Sequence, residues 1–324
     1  MAHISSTSLS PPQDMGLNLR QPLEHEQRTA LGLLLTGRPA PSDPAVGHFL
    51  DFVRAQGLSL NGLWTAFRET TPIVSALLIP GAGRTAVLFL SPVSSTDRAQ
   101  ALTALVCHIV DQTSAEDIRL IQSLLDPHQT LIQQALVDAG FIRLANLIYM
   151  RRSSLGREIV ATHPDQPIAS GGRVLKEYHW DESRRDLFAR SIEASYIDTQ
   201  DCPGLVGIRQ IDDIIAGHMA VGRFDPALWT TWYADDEPAG VLLLNPMAER
   251  RELELVYLGL SPAFRGQGLG KALMYFALSR AKQLGFTGIH LAVDDANTPA
   301  LRLYQHIGFR ATGSKLAMIG VLKP

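Results

Sequence analysis

In the second half of the chain the apolar positions change period in a fixed order. Residues 174–178, 230–233 and 239–244 read as short strands, with a helical pattern over 181–196 between the first two. Residues 253–260 form another strand, set off from 239–244 by the turn-like Asn245-Pro246. Over 271–284, Leu273, Phe276, Ala277, Ala281 and Leu284 fall on one helical face, and Gly285 stops that helix. Ile289, Leu291 and Val293 alternate as a strand, and Pro299 opens a last helix over 300–306. From Ser261 onward the order is glycine-rich loop, helix, strand, helix, which defines a mixed α/β domain.

The first half carries the same order. Leu88-Phe89-Leu90-Ser91-Pro92 matches Leu258-Gly259-Leu260-Ser261-Pro262, and each is followed by helical, strand and helical patterns. These end at Ala139-Gly140-Phe141 and Ile307-Gly308-Phe309, about fifty residues past each Ser-Pro pair, with Met150 and Met318 at matching offsets beyond. Duplication of one α/β unit accounts for the shared order. The stretch 153–172 holds Pro164, Pro167 and Ser170-Gly171-Gly172 and few apolar anchors, so it reads as a linker. The expected organisation is a flexible tail over 1–18, one domain over 19–152, the linker over 153–172, and a second domain over 173–324.

Composition narrows the partners. The 324 residues are 46% hydrophobic and 19% charged, enough for two globular domains. Lys and Arg total 29 against 32 Asp and Glu, a net charge of -3. That balance gives no electrostatic drive toward phosphate backbones, so no nucleic-acid partner is expected. The apolar runs 73–79 and 86–90 are strand-length, too short for a membrane, and the N-terminus lacks a basic start and an apolar core. Cys107 and Cys202, far apart, make neither a disulfide framework nor a metal site, so a reducing cytoplasm is the expected location and no metal is expected.

The chemistry concentrates in Arg265-Gly266-Gln267-Gly268-Leu269-Gly270, directly between a strand and an amphipathic helix. A diphosphate needs several backbone N–H groups aimed at it and a chain that can approach without Cβ clashes, and glycines at a helix N-terminus supply both. Lys271 is followed by alanine, so the P-loop ending is missing, and the spacing is not that of a dinucleotide fold. Gly81-Ala82-Gly83 leads into a strand and reads as a hairpin turn.

The run from Leu258 to Gly270 resembles the acetyl-CoA signature of the GNAT N-acetyltransferase superfamily, Gln/Arg-x-x-Gly-x-Gly/Ala. Asn297, Ala300, Leu303-Tyr304 and Gly308-Phe309 resemble a second signature of that family at every named position. The resemblance implies two tandem GNAT-like domains of mixed α/β (α+β) class, each a central twisted mixed sheet flanked by helices. It implies an acetyl-CoA-dependent N-acetyltransferase acting by direct attack of an amine, with CoA as product. It further implies that backbone groups of Leu258 and Leu260 pair with the pantetheine arm, and that Arg265, Gly266, Gln267, Gly268, Leu269, Gly270 and Lys271 surround the diphosphate. Asn297 would touch the cofactor, and Tyr304 would protonate the departing thiolate. Glu254, on the strand before the loop, resembles the placement of the glutamate base in histone-type members, with Glu252 of the same parity as runner-up.

An acceptor pocket is expected along residues 197–232, where Asp198, Asp201, Asp212, Asp213, His218, Phe224, Asp225, Trp229 and Trp232 offer acidic and aromatic groups suited to a cationic amine. His218 has no second ligand at helical spacing and reads as a local packing residue. With no Gly-x-Ser-x-Gly elbow and no catalytic cysteine context, covalent catalysis is not expected. A small-molecule amine is the expected acceptor, a protein or peptide amine or a non-catalytic acyl-CoA-binding module being the alternatives. The loop after Pro92 holds no glycine, and Leu136 stands where the second copy has Tyr304, so one acyl-CoA per chain is expected. The chain is expected to be a monomer whose two copies form an intramolecular pseudo-dimer.

Overall fold

The computed structural model describes residues 16–55, 57, 59–153 and 167–322. Most of the expected tail and linker lies outside these residues. The elements run β1 (Leu17–Arg20), α1 (Gln27–Thr36), α2 (Pro44–Ala55), β2 (Leu63–Arg68), β3 (Thr71–Gly81), β4 (Thr85–Leu90), α3 (Thr96–Asp111), β5 (Leu120–Leu125), α4 (Thr130–Asp138) and β6 (Ile142–Arg152). A small hairpin, β7 (Ala169–Ser170) with β8 (Arg173–Val174), begins in the stretch read as linker and ends just past it. The order then repeats: β9 (Lys176–His179), α5 (Arg185–Tyr196), α6 (Ile211–Met219), β10 (Trp229–Ala234), β11 (Glu237–Pro246), β12 (Leu253–Leu260), α7 (Leu269–Gln283), β13 (Ile289–Asp294), α8 (Thr298–His306) and β14 (Arg310–Val321).

The chain divides into two compact units, but not at the boundaries expected. The first comprises residues up to Arg143 and returns with Leu316 onward, and the second comprises 144–315. In the first, β1 to β5 are neighbours in sequence order and Leu316–Val321 of β14 pairs antiparallel with β5. In the second, β9 to β13 are neighbours in order and Leu147–Arg152 of β6 pairs antiparallel with β13. The physical reason is side-chain burial. Met318, fully buried, packs in the core of the first unit with Leu102, Leu136 and Phe141, whereas Met150 packs in the second with Leu255, Leu291 and Phe309. The expected divisions 19–152 and 173–324 each miss the strand that completes the sheet. Leu17 and Asn18, assigned to the tail, belong to β1.

Within the second unit the sheet is covered on both faces. Trp232, Leu242 and Leu244 pack beneath α7 with Leu273 and Ala277, while Trp229, Val241 and Leu243 pack against α5 and α6 through Phe188, Ile192 and Ile215. Residues 229 and 232 differ in parity, so the two indoles take opposite faces. Both are fully buried in the core, which removes them from the expected acceptor pocket. Phe224 joins the Trp180–Trp229 ring cluster, Asp225 caps the turn at Ala227, and Asp212 pairs with Arg185, so these residues also serve the fold.

Candidate active site in the second unit

β12 is antiparallel to β11 and parallel to β13, but the parallel pairing covers only Leu253 with Ile289 and Glu254 with His290. Beyond it the β11–β12 register shifts, Leu243 facing Tyr257 and Leu244 facing Leu255, so Val256 is the extra residue of a bulge. Bulges bend the strand that carries them and interrupt pairing. Here the parallel strands part, and a cleft of about 480 Å³ opens between them, with Leu255, Leu258, Leu260, Ala292 and Val293 on its walls. The Ser261 N–H bonds the Ala239 carbonyl on β11. By the alternation along a strand, Leu258 and Leu260 turn their backbone groups to the cleft side, which leaves an open strand edge there.

That edge runs into the glycine loop. Gly266 has φ 74° and Gly268 φ 82°, and a Cβ at either would project into open space. Gly268 is the N-cap of α7 and gives it no side-chain cap, so the first-turn N–H groups remain for a ligand at the positive end of the helix dipole. Leu269 is buried in the core, and Gly270 packs against Leu303 and Leu260. Gln267 bonds the Ala263 carbonyl and accepts from the Ser170 hydroxyl, and the Lys271 Nζ lies 3.1 Å from Nε2 of His306.

Arg265 does something that spacing alone did not show. Its guanidinium donates to the carbonyls of Leu260 at 3.1 Å, Ser195 at 2.9 Å, Ile197 at 2.7 Å and Asp198 at 3.1 Å. The last three are carbonyls at and just past the C-terminal end of α5, which a cation satisfies well. The arginine thus ties the end of β12 and the glycine loop to the segment leading into Asp198–Asp201. That segment holds two non-glycine residues in left-handed conformation, Asp198 at φ 50° and Cys202 at φ 44°. Gly259 lets α5 close in, since a Cβ there would meet the Ser195 hydroxyl at 2.4 Å.

Tyr304, on α8, is 7% exposed and lines the cleft with Asn297, Leu303 and Ala300. Burial, aided by the Asp201 charge, pushes its phenol well above the usual range, so it holds its proton. Its hydroxyl has no hydrogen-bond partner among the described residues. Asn297 is the N-cap of α8, its side-chain oxygen accepting from the Ala300 N–H at 3.3 Å. Asp294, at the end of β13, is buried and accepts from the Cys202 and Ala296 N–H groups. The Cys202 thiol is pushed up to about 12 by burial and by the neighbouring Asp201 and Asp294, which leaves it inert as a nucleophile.

The two glutamates of β12 separate. Glu252 is buried and accepts from both Arg151 of β6 and His290 of β13. Burial alone would raise its carboxyl, but these bonds outweigh it and hold it below the usual range, so this runner-up base is a structural anion. Glu254 is half-buried, and burial pushes its carboxyl up against the opposing effect of His290. It is not among the residues lining the cleft. His218 packs on Tyr257, ring centroids 5.4 Å apart, and burial pushes its imidazole down to about 4. Sequence reasoning missed Tyr257, whose hydroxyl bonds the Ser195 hydroxyl at 2.7 Å on the cleft wall, and it missed α6 altogether.

An open strand edge, an uncapped glycine-started helix and a buried tyrosine thus share one cleft. The acetyltransferase (GNAT) family matches residues 196–309, which span β10 to α8. Over those residues the second unit is similar to that family. N-acetyltransferase family 8 member 2 of Rattus norvegicus is 34% identical over 88 residues, 25% of this chain and 39% of that protein. A mycothiol acetyltransferase of Thermobispora bispora is 43% identical over 81 residues, 25% of this chain and 24% of that protein. The matches thus span less than half the length of these relatives. A GCN5-related N-acetyltransferase structure from Sphaerobacter thermophilus covers 96% of this chain and 97% of its own, at 15% identity and a TM-score of 0.56, so its fold extends over both units. Among the described residues no helix is long and apolar enough to cross a membrane, and no group of His, Cys, Asp and Glu could hold a metal ion.

Proposed function

We propose that the chain is an N-acetyltransferase that moves an acetyl group from acetyl-CoA to the amine of a small molecule. The observation that carries this reading is the continuity of the open β12 edge with the uncapped N-terminus of α7. Backbone groups of Leu258 and Leu260 would hold the pantetheine arm, and the N–H groups from Gly266 to Lys271 the diphosphate. Bound acetyl-CoA supplies an activated thioester carbonyl. The protein's part is to fix the amine against it, to exclude water with the apolar walls, and to deliver the Tyr304 proton to the departing sulfur. A phenol above its usual pKa suits that task, because it stays protonated until a stronger base forms beside it. The Asp198–Asp201 segment and Tyr257 wall one side of the cleft, which favours a compact acceptor over a protein surface.

The test is calorimetry of the full chain with CoA, followed by thiol release from acetyl-CoA across a panel of primary amines. Binding with amine-dependent thiol release is the expected result. CoA binding with no turnover on any amine or peptide would leave a non-catalytic acyl-CoA-binding module instead.

A further inference from the structure

The cleft contains a carboxylate that no motif marks. Three charged residues line it: Arg265, Asp198 and Asp201. Arg265 spends its guanidinium on four carbonyls, and Asp198 stands exposed. Asp201 is exposed as well, but it lines the cleft with protein packed around its carboxyl. Burial pushes its carboxyl up, opposed by hydrogen bonding from the Asp294 N–H and the Asn297 side chain, and the Asp294 charge adds to the rise. It forms no ion pair with any described cationic side chain. The neighbouring Asp294 is committed, each oxygen accepting one backbone N–H. Of these two neighbouring carboxylates, only that of Asp201 belongs to a residue lining the cleft.

Position also singles out Asp201. The segment that carries it is strained at Asp198 and Cys202 and is held in place by the Arg265 clamp, so local energy is spent to present this side chain. The Tyr304 hydroxyl, buried and unpartnered, opens on the same cleft, close enough that the Asp201 charge acts on it. A largely apolar cavity with a few polar groups, whose uncompensated charge is negative, selects a compact cation.

We infer that Asp201 is the acceptor-binding residue of this cleft, pairing with the ammonium of a primary amine and taking one of its protons. This rests on the acetyltransferase reading of the site. The ammonium gives one proton to Asp201 and becomes an amine with a free lone pair. Its nitrogen forms the new bond to the acetyl carbon as the carbon–sulfur bond breaks, and the sulfur takes the Tyr304 proton. The second nitrogen proton restores Tyr304, and Asp201 releases its own to solvent. A carboxyl with a raised pKa is suited to this exchange, and activity should climb with pH as it ionises. Glu254 is displaced from the role because it does not face the cleft.

The test compares hexylamine with hexanol, a cation and a neutral analogue of like length, titrated into the full chain with and without CoA. Wild type should bind hexylamine at least about 10-fold more tightly than hexanol. Asp201→Asn should lose that preference, and Asp201→Glu, which keeps the charge, should retain most of it. CoA affinity should be the same in all three, which shows that the fold and the cofactor site survive. In thiol release with hexylamine, Asp201→Asn should lose about 10²-fold or more in kcat/KM together with the acidic limb of the pH profile. A preference for hexylamine that survives Asp201→Asn, no preference in wild type, or loss of the acidic limb in Glu254→Gln but not in Asp201→Asn overturns the assignment. Failure of wild type to bind CoA strikes at the acetyltransferase reading instead, and the amine preference still decides whether Asp201 is a cation site.

Discussion

The two halves of the chain pass through the same ten elements in the same order, and the units they build part company at three places. Between β3 and β4 the register runs without a shift from Ala76–Leu90 to Gly81–Thr85, whereas β11 and β12 are offset by the bulge at Val256. Just past the last β4–β5 pair, Val87 with Gln122, the Ser123 hydroxyl donates to the Leu88 carbonyl at 2.9 Å and ties the strands where β12 and β13 separate. The third place is the helix that follows. Ser95 caps α3 by accepting from the Arg98 N–H, while α7 begins at Gly268 with no side-chain cap. Leu136, fully buried, fills the position of Tyr304. Both units keep an arginine that ties the first helix of the repeat, Arg98 to the Gly37 carbonyl and Arg265 to the end of α5. A repeat can thus keep every packing relation of the fold while its orphan amides are capped and its strands closed, because cofactor binding depends on groups the fold leaves unsatisfied.

The severest way to break this contrast is at Gly268. A β-branched residue at φ 82° carries strain of about 1–3 kcal/mol and puts a side chain where the open loop would meet a diphosphate. Gly268→Val should abolish CoA binding in calorimetry and leave the thermal midpoint within a few degrees of wild type. Wild type should saturate at one equivalent of CoA per chain. A second equivalent would show that the capped α3 still binds.

Next in size is the tyrosine. Tyr304→Phe removes one hydroxyl and should lower kcat by about 10²–10⁴ at unchanged CoA affinity. The converse change, Leu136→Tyr, puts a hydroxyl into a sealed core. It should cost about 1–3 kcal/mol in denaturant unfolding and yield no activity in the first unit. Equal kcat in Tyr304→Phe would make Tyr304 as structural as its counterpart.

These features differ in how far they could be read from the chain. The glycine loop, Asn297 and Tyr304 are each marked by spacing along one helix or turn, although the N-cap role of Asn297 is seen only in the structure. The bulge at Val256 exists only relative to β11, and the exchange of Met150 and Met318 only relative to distant cores, so matched offsets revealed the repeat but not its partners. α6 is short and acidic at its start, and its burial rests on Ile214 and Ile215 meeting a sheet face that no local pattern announces. Trp229 and Trp232 looked like an aromatic pocket because their strand is buried on both faces and shows no polar alternation. Asp201 stands in the sequence as one of several acidic residues offered for an acceptor pocket; what singles it out, like the Arg265 clamp, depends on a strained loop whose course no simple period encodes.

The arginines sharpen the contrast further. Arg265→Ala removes four donor contacts, and a bond involving a charged group contributes about 1.5–3 kcal/mol net, without simple additivity when one group makes several. It should loosen the Asp198–Asp201 segment, raise KM for the amine about tenfold or more, and lower stability by a few kcal/mol. Arg98→Ala removes a single contact, to the Gly37 carbonyl, and should cost about 1–2 kcal/mol with no effect on KM. Equal effects on KM would show that the Arg265 clamp carries no message to the acceptor side.

The smallest change addresses what closes the first unit. Ser123 is 2% exposed and its hydroxyl serves the Leu88 carbonyl, so Ser123→Ala deletes one buried hydrogen bond and leaves its acceptor short of a partner. The cost should be about 1 kcal/mol, read as a lower denaturant midpoint at unchanged slope. CoA stoichiometry should stay at one. The hydroxyl bridge is only one of the closures: β4 carries no bulge to bend it away from β5, Ser95 still satisfies the first turn of α3, and Asp97 still stands at the helix start, paired with Arg68 at 2.8 Å. A second equivalent of CoA in Ser123→Ala would mean that the strand bridge alone had kept the first cleft shut and that the capped helix was no barrier. A stoichiometry of one together with the stability loss would place the barrier in the combination, where no single side chain restores what the bulge and the glycines provide.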